Sequence, residues 1–271
     1  MKNYKIAEKT IQIKFIDEGK HQYFRNFETE ELASYQIIFE MINHLEPLTG
    51  LQEDENGLKY KIVDEKKLVD IRNDKGIVVI RCEIDKTKTT VYFIEGFTEI
   101  AKYEHILSYM CFTEVVADEG VISLHATAVT FKDKAIIVDN NNLTKLFIEQ
   151  WIKMLNEENL ISDDKLFIKL KNNQIVVYAN PWNGSGNVAS DYEGTLKTIV
   201  LLEKGLTEKI IELDGTEKMD VMVKKLGIMN ETISNKKLFN FCVDLCDKVD
   251  IYKYQGKMKD LKNIFNKIYF N

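Results

Sequence analysis

Residues 135–148 read Ala135-Ile136-Ile137-Val138-Asp139-Asn140-Asn141-Asn142-Leu143-Thr144-Lys145-Leu146-Phe147-Ile148. The first four are apolar without alternation, as in a strand at the centre of a covered sheet. Beyond the asparagines, Leu143, Phe147, Trp151 and Leu155 recur every four residues with Ile148 and Ile152 beside them, which predicts a helix over 143–155. The order is therefore strand, polar loop, helix. Such a loop aims backbone N–H groups and a helix N-terminus at whatever lies above it, which suits an anion. Laid on the phosphate-binding pattern G-x-x-x-x-G-K-[ST], it puts Lys145 on the phosphate lysine. Asp139 and Thr144 stand where the glycines belong, and Leu146 where a hydroxyl would hold magnesium.

These departures have physical consequences. Glycine serves in such loops because the backbone takes φ > 0 and approaches the phosphates closely. Asp and Asn tolerate that conformation next best, so Asp139, Asn140, Asn141 and Asn142 keep an approximate anion nest. Thr144 is β-branched, and forcing it there costs about 1–3 kcal/mol. A carboxylate about 5 Å from one phosphate charge repels it by roughly 3 kcal/mol at an effective dielectric near 20. Together with the lost magnesium ligand, this predicts a ten- to hundredfold weakening of nucleotide affinity, on the order of 1.4–2.8 kcal/mol.

Outward from the loop, residues 121–131 read as a strand, and 165–170 with 174–179 as a hairpin around Lys171-Asn172-Asn173. Residues 196–203 and 209–213 suggest a second pair across Gly205. A helix over 217–226 stopped by Gly227, a helix over 234–248, a strand over 249–254 and a closing helix over 258–269 complete this half. The opening half reads as α+β. Ile11, Ile13 and Phe15 alternate as in a half-buried strand, and 32–45 carries helical apolar spacing behind Thr29 as cap. Strands follow over 58–62, 77–84 and 89–94. Gly96 punctuates the pattern, and 98–112 reads as a helix with Ile100, Tyr103, Ile106, Leu107 and Met110 on its apolar face. The expected division is a smaller α+β domain over 1–96 and an α/β domain over 97–271.

Five short stretches surround the loop in a fixed order. They are Leu124-His125-Ala126-Thr127-Ala128-Val129, Ala135-Ile136-Ile137-Val138, Ile161-Ser162-Asp163-Asp164, Asn180-Pro181-Trp182-Asn183-Gly184 and Leu196-Lys197-Thr198-Ile199-Val200-Leu201-Leu202-Glu203. In order and spacing they resemble the HPr kinase-like family, related in fold to the nucleotide domain of phosphoenolpyruvate carboxykinase. That family reads L-H-A-[ST]-A-V, a hydrophobic strand, G-P-S-G-S-G-K-[ST], S-D-D, P-W-x-G and a P-L-K-A-I-V-x-L strand. The likeness covers about residues 98–213. It implies a P-loop domain with a mixed sheet over 97–271, using ATP and magnesium to phosphorylate a serine on a protein or peptide. It also implies that Lys145, with Asn140, Asn141, Asn142 and Thr144, faces the nucleotide. Asp163 and Asp164 become the pair for metal binding and hydroxyl activation, and His125 a residue near the phosphates. Because the loop is degenerate, the expectation is weak or lost ATP use, with a peptide or protein partner bound on the inherited scaffold, as in peptide maturation. The alternative is an active serine kinase using ATP or another phosphate donor. A homo-oligomer is compatible with either.

Each of these residues has a plainer role open to it: Lys145 as a solvated lysine, Asp163 and Asp164 as a turn, His125 as a core histidine and Trp182 as a cap on the sheet edge. Composition narrows the classes further. With 45% hydrophobic and 30% charged residues, the chain can bury a substantial core. A net charge of -6 argues against nucleic acid, which selects a basic excess. The first sixteen residues interrupt their apolar positions with Lys, Glu and Gln, so neither a secretory signal nor a membrane span is predicted, and a cytoplasmic protein is expected. The four cysteines lie at irregular positions and read as buried small hydrophobes, Cys242 and Cys246 lacking a second pair for a metal.

Overall fold

The computed structural model describes residues 1–53, 59–131, 134–139, 160–182, 192–204, 207–229 and 233–256. The chain divides into two compact units, Met1–Val115 and Val116–Asn271. The division falls near the end of the helix that punctuation at Gly96 assigns to the second domain.

The first unit holds an eight-stranded mixed sheet in the order β1-β2-β3-β8-β7-β6-β5-β4. Its strands are β1 (Lys2–Ile6), β2 (Lys9–Lys14), β3 (Tyr35–Ile42), β4 (Gln52–Glu53), β5 (Lys59–Val63), β6 (Lys66–Arg72), β7 (Val78–Ile84) and β8 (Lys88–Ile94). β3 corrects the helix expected over 32–45. Ile37, Ile38, Phe39 and Ile42 suit a pleated strand, and β3 is paired in parallel on both edges, with β2 and β8. Tyr35, Ile37 and Phe39 are buried on one face and only Ile38 on the other, where Gln36 and Glu40 are not buried, so the run Ile37-Ile38-Phe39 masks the alternation and imitates helical spacing. Ile37 and Phe39 are buried, whereas Leu32 is 93% exposed. Thr29 caps a turn instead, its hydroxyl accepting the Glu31 N–H at 3.2 Å.

Helix α1 (Ile100–Ala117) follows, with its apolar face rotated from expectation. Glu104, Leu107, Ser108, Cys111, Phe112 and Val116 are buried, at the spacing of one helix face, while Ile106 and Met110 are exposed. A charged residue on the buried face, Glu104, explains the difference. Glu104 is accommodated by His21 Nε2 at 3.0 Å and by the Ile16 N–H at 2.5 Å. His21 stacks on Phe15 with ring centroids 3.8 Å apart.

In the second unit, β9 (Val121–Phe131), β10 (Lys134–Asp139), β11 (Leu160–Ser162), β12 (Lys165–Lys171), β13 (Gln174–Tyr178), β14 (Glu193–Lys204), β15 (Lys209–Glu212) and β16 (Asp250–Gly256) form a mixed sheet, joined by α2 (Gly215–Met229) and α3 (Asn235–Lys248). Gly120, at φ 74°, turns the chain out of α1 into β9. Asn172 and Asn173, at φ 49° and 61°, close the β12–β13 hairpin as expected, since Asn accepts the left-handed region that a two-residue turn requires.

β9 and β14 each change partner partway. The first half of β9 pairs with β12 and the second with β10 and β11, while β14 pairs first with β13 and then in parallel with β10. The pairings β10–β9–β12–β13–β14–β10 therefore form a closed circuit, with β10 fully buried from Ala135 to Val138. The hairpin expected across Gly205 is replaced by a longer-range arrangement. β16 lies between β14 and β15, parallel to the first and antiparallel to the second. Gly227 lies inside α2 rather than after it. α3 starts where expected, the Ser234 hydroxyl accepting the Lys237 N–H, and buries Leu238, Phe241, Cys242 and Leu245. The helices expected over 143–155 and 258–269 lie outside the described residues, as does the loop 140–146. No helix among the described residues is long and apolar enough to cross a membrane.

Candidate functional site

From Val121 to Val129 every residue of β9 is buried except His125. This is the place where β9 changes partner. The Cα of His125 pairs with Lys165 on β12, and that of Ala126 with Asp139 at the end of β10. β10 thus ends at Asp139 beside the one exposed residue between Val121 and Val129.

Asp163 and Asp164 fill the bend between β11 and β12, two strands that lie along β9 in turn. Their backbone is tied down: the Asp164 carbonyl accepts the Ala126 N–H at 2.9 Å, and the Asp163 carbonyl accepts the Thr127 hydroxyl at 3.2 Å. Asp164 Oδ1 lies 2.6 Å from His125 Nε2, a partly exposed pair. A ring N–H donates and a carboxylate oxygen accepts, so the contact fixes the orientation of the imidazole toward Asp164. Asp163 is half-buried, and burial first, then the neighbouring charge of Asp164, raises its carboxyl above the usual Asp range.

The bend has support on its far side. Ser162 Oγ donates to the Lys165 carbonyl, which also accepts from Asn180 Nδ2 at 2.5 Å. Asn180 Oδ1 accepts the Trp182 N–H at 2.8 Å. Trp182 is completely buried, edge-on to Phe167 at 6.3 Å between ring centroids, so it is a core residue and not a cap on the sheet edge. Motif reading picked out Asn180 only as part of a stretch. Its signal was an Asn before Pro, which suits a turn but does not reveal the second hydrogen bond.

Of the residues selected from the sequence, His125, Asp163 and Asp164 come together. Lys145, Asn140, Asn141, Asn142 and Thr144 lie outside the described residues. Among the described residues no group of three or more His, Cys, Asp or Glu is arranged to hold a metal ion. The cysteines form no disulfide; Cys82, Cys111 and Cys242 are buried, and burial pushes the Cys82 thiol up to about 12 and the Cys242 thiol up to about 11. Those thiols stay protonated, as packing residues do.

No family model matches the chain, and no curated protein matches it. Among solved structures, the Hpr(Ser) kinase/phosphatase from Coxiella burnetii aligns over 55% of this chain and 94% of its own, at 11% identity and a TM-score of 0.31. At that score the likeness decides nothing by itself.

Proposed function

We propose that the second unit is an HPr kinase-like domain whose phosphate-binding loop has degenerated, so that ATP use is weak or lost and the scaffold binds a peptide or protein partner. The observation that carries this reading is the exit of β10 at Asp139, alongside Ala126 and the His125–Asp164 pair. Three acidic residues, Asp139, Asp163 and Asp164, are then close in register or sequence to the loop that would hold phosphates, with Lys145 as its cation. Such a charge balance disfavours a polyphosphate without its metal.

The second reading, an active serine kinase, is favoured by one observation, the assembled His125–Asp164 pair. A carboxylate there would take the proton of a serine hydroxyl as its oxygen forms a bond to phosphorus and the bond to the leaving phosphate breaks. Magnesium, when bound by Asp163 and Asp164, would neutralise phosphate charge.

A thermal-shift assay of the full chain with ATP, and separately pyrophosphate, with and without magnesium, tests the proposal. Millimolar nucleotide well below its dissociation constant leaves the unfolding midpoint almost unmoved. A shift implying micromolar affinity would overturn the first reading in favour of the second.

A further inference from the structure

We infer that Asn180 is the positioning residue of the His125–Asp164 pair. The β12–β13 ladder ends with Phe167 opposite Tyr178, and two further steps in that register set Asn180 opposite Lys165. The next residue is Pro181, and the regular ladder goes no further. The side-chain amide of Asn180 continues the ladder instead, donating to the Lys165 carbonyl at 2.5 Å. Its oxygen accepts the Trp182 N–H at 2.8 Å, so its two ends meet groups of opposite hydrogen-bonding sense. The side chain is completely buried, and Trp182 beside it is wedged against Phe167.

Lys165 is the next residue after Asp164, and its Cα stands opposite His125. Asp164 is therefore gripped from two directions. The Ala126 N–H holds its carbonyl from β9, and Asn180, with Ser162, holds the following peptide from the other side. Asn suits this post because Ser is too short to span both partners, Asp lacks the donor and Gln displaces both atoms by a methylene. The inference rests on the reading of His125 and Asp164 as the working pair of the site.

The test is a double-mutant cycle of His125→Gln and Asp164→Asn, by urea unfolding of the full chain, in the parent and in the Asn180→Ser background. In the parent, the pair should be coupled by about tenfold in the folding constant, and with Asn180→Ser by under about threefold. Undiminished coupling in folded Asn180→Ser protein would overturn the inference while leaving the pair intact. Absence of coupling in the parent would overturn the pair itself, and the positioning role with it. If Asn180→Ser does not fold, Asn180→Gln carries the same test. Amide exchange supplies a second measurement: the Ala126 N–H should exchange at least about tenfold faster relative to Val177 in the variant, and equal acceleration of both would contradict the role.

Discussion

His125 Nε2 and Asp164 Oδ1 lie 2.6 Å apart although 39 residues separate them in the chain. β9 and β12 bring them together, and the bend after β11 turns the carboxylate toward the imidazole. The neighbouring Asp163 is under opposite pressure, its ionised form disfavoured by burial and by the charge of Asp164.

Asp163 should therefore destabilise the fold at neutral pH. Its folded-state pKa is raised, so the stability it contributes is fully present below the ordinary Asp value of 3.8 and is lost as pH rises through the folded value. Asp163→Asn should unfold a few degrees above the parent at pH 7, and that gap should close below pH 3.8. Calorimetric scans across this range check it, and a gap independent of pH would contradict the raised carboxyl.

If the two carboxylates bind a divalent cation, manganese should bind the parent measurably. Asp163→Asn combined with Asp164→Asn should weaken that binding by at least about tenfold, the loss expected when both charged ligands go. Paramagnetic relaxation of water protons follows the titration. Equal binding by the double variant would put the cation elsewhere.

In the first unit, His21→Ala should cost at least about 2 kcal/mol, because it takes a partner from the completely buried Glu104 and removes a ring stacked on Phe15. Urea unfolding measures the cost. A loss under about 0.5 kcal/mol, the usual range for a surface substitution, would mean that the pair is dispensable.

Much of the second unit was legible because its signals are local. The unbroken apolar run at Ala135 to Val138, the Asn172-Asn173 turn and Ser234 each act through adjacent residues. β3 was misread because Ile38 joins Ile37 and Phe39 in one apolar run that masks the alternation, and its parallel partners lie far away in sequence. The face of α1 was misread because Glu104 looks like a surface residue until His21 and the Ile16 N–H are beside it. β15 was given the wrong neighbour because β16, which separates it from β14, comes some forty residues later. At the site, ordered motifs selected His125, Asp163 and Asp164. The direct bond between His125 and Asp164 depends on strand register, which the motifs do not encode.

Substituting the proposed phosphate loop tests the reading of it as a degenerate phosphate site most directly. Asp139→Gly, Asn142→Gly, Thr144→Gly and Leu146→Ser together restore the glycine pattern, remove a repelling carboxylate and return a magnesium ligand, with Lys145 already in sequence. Calorimetric titration of the folded fourfold variant with ATP and magnesium should show affinity at least about tenfold above the parent, about 1.4 kcal/mol, and adding Lys145→Ala should abolish the gain. A folded variant with no gain, or a gain indifferent to Lys145, would mean that residues 139–146 do not face phosphates.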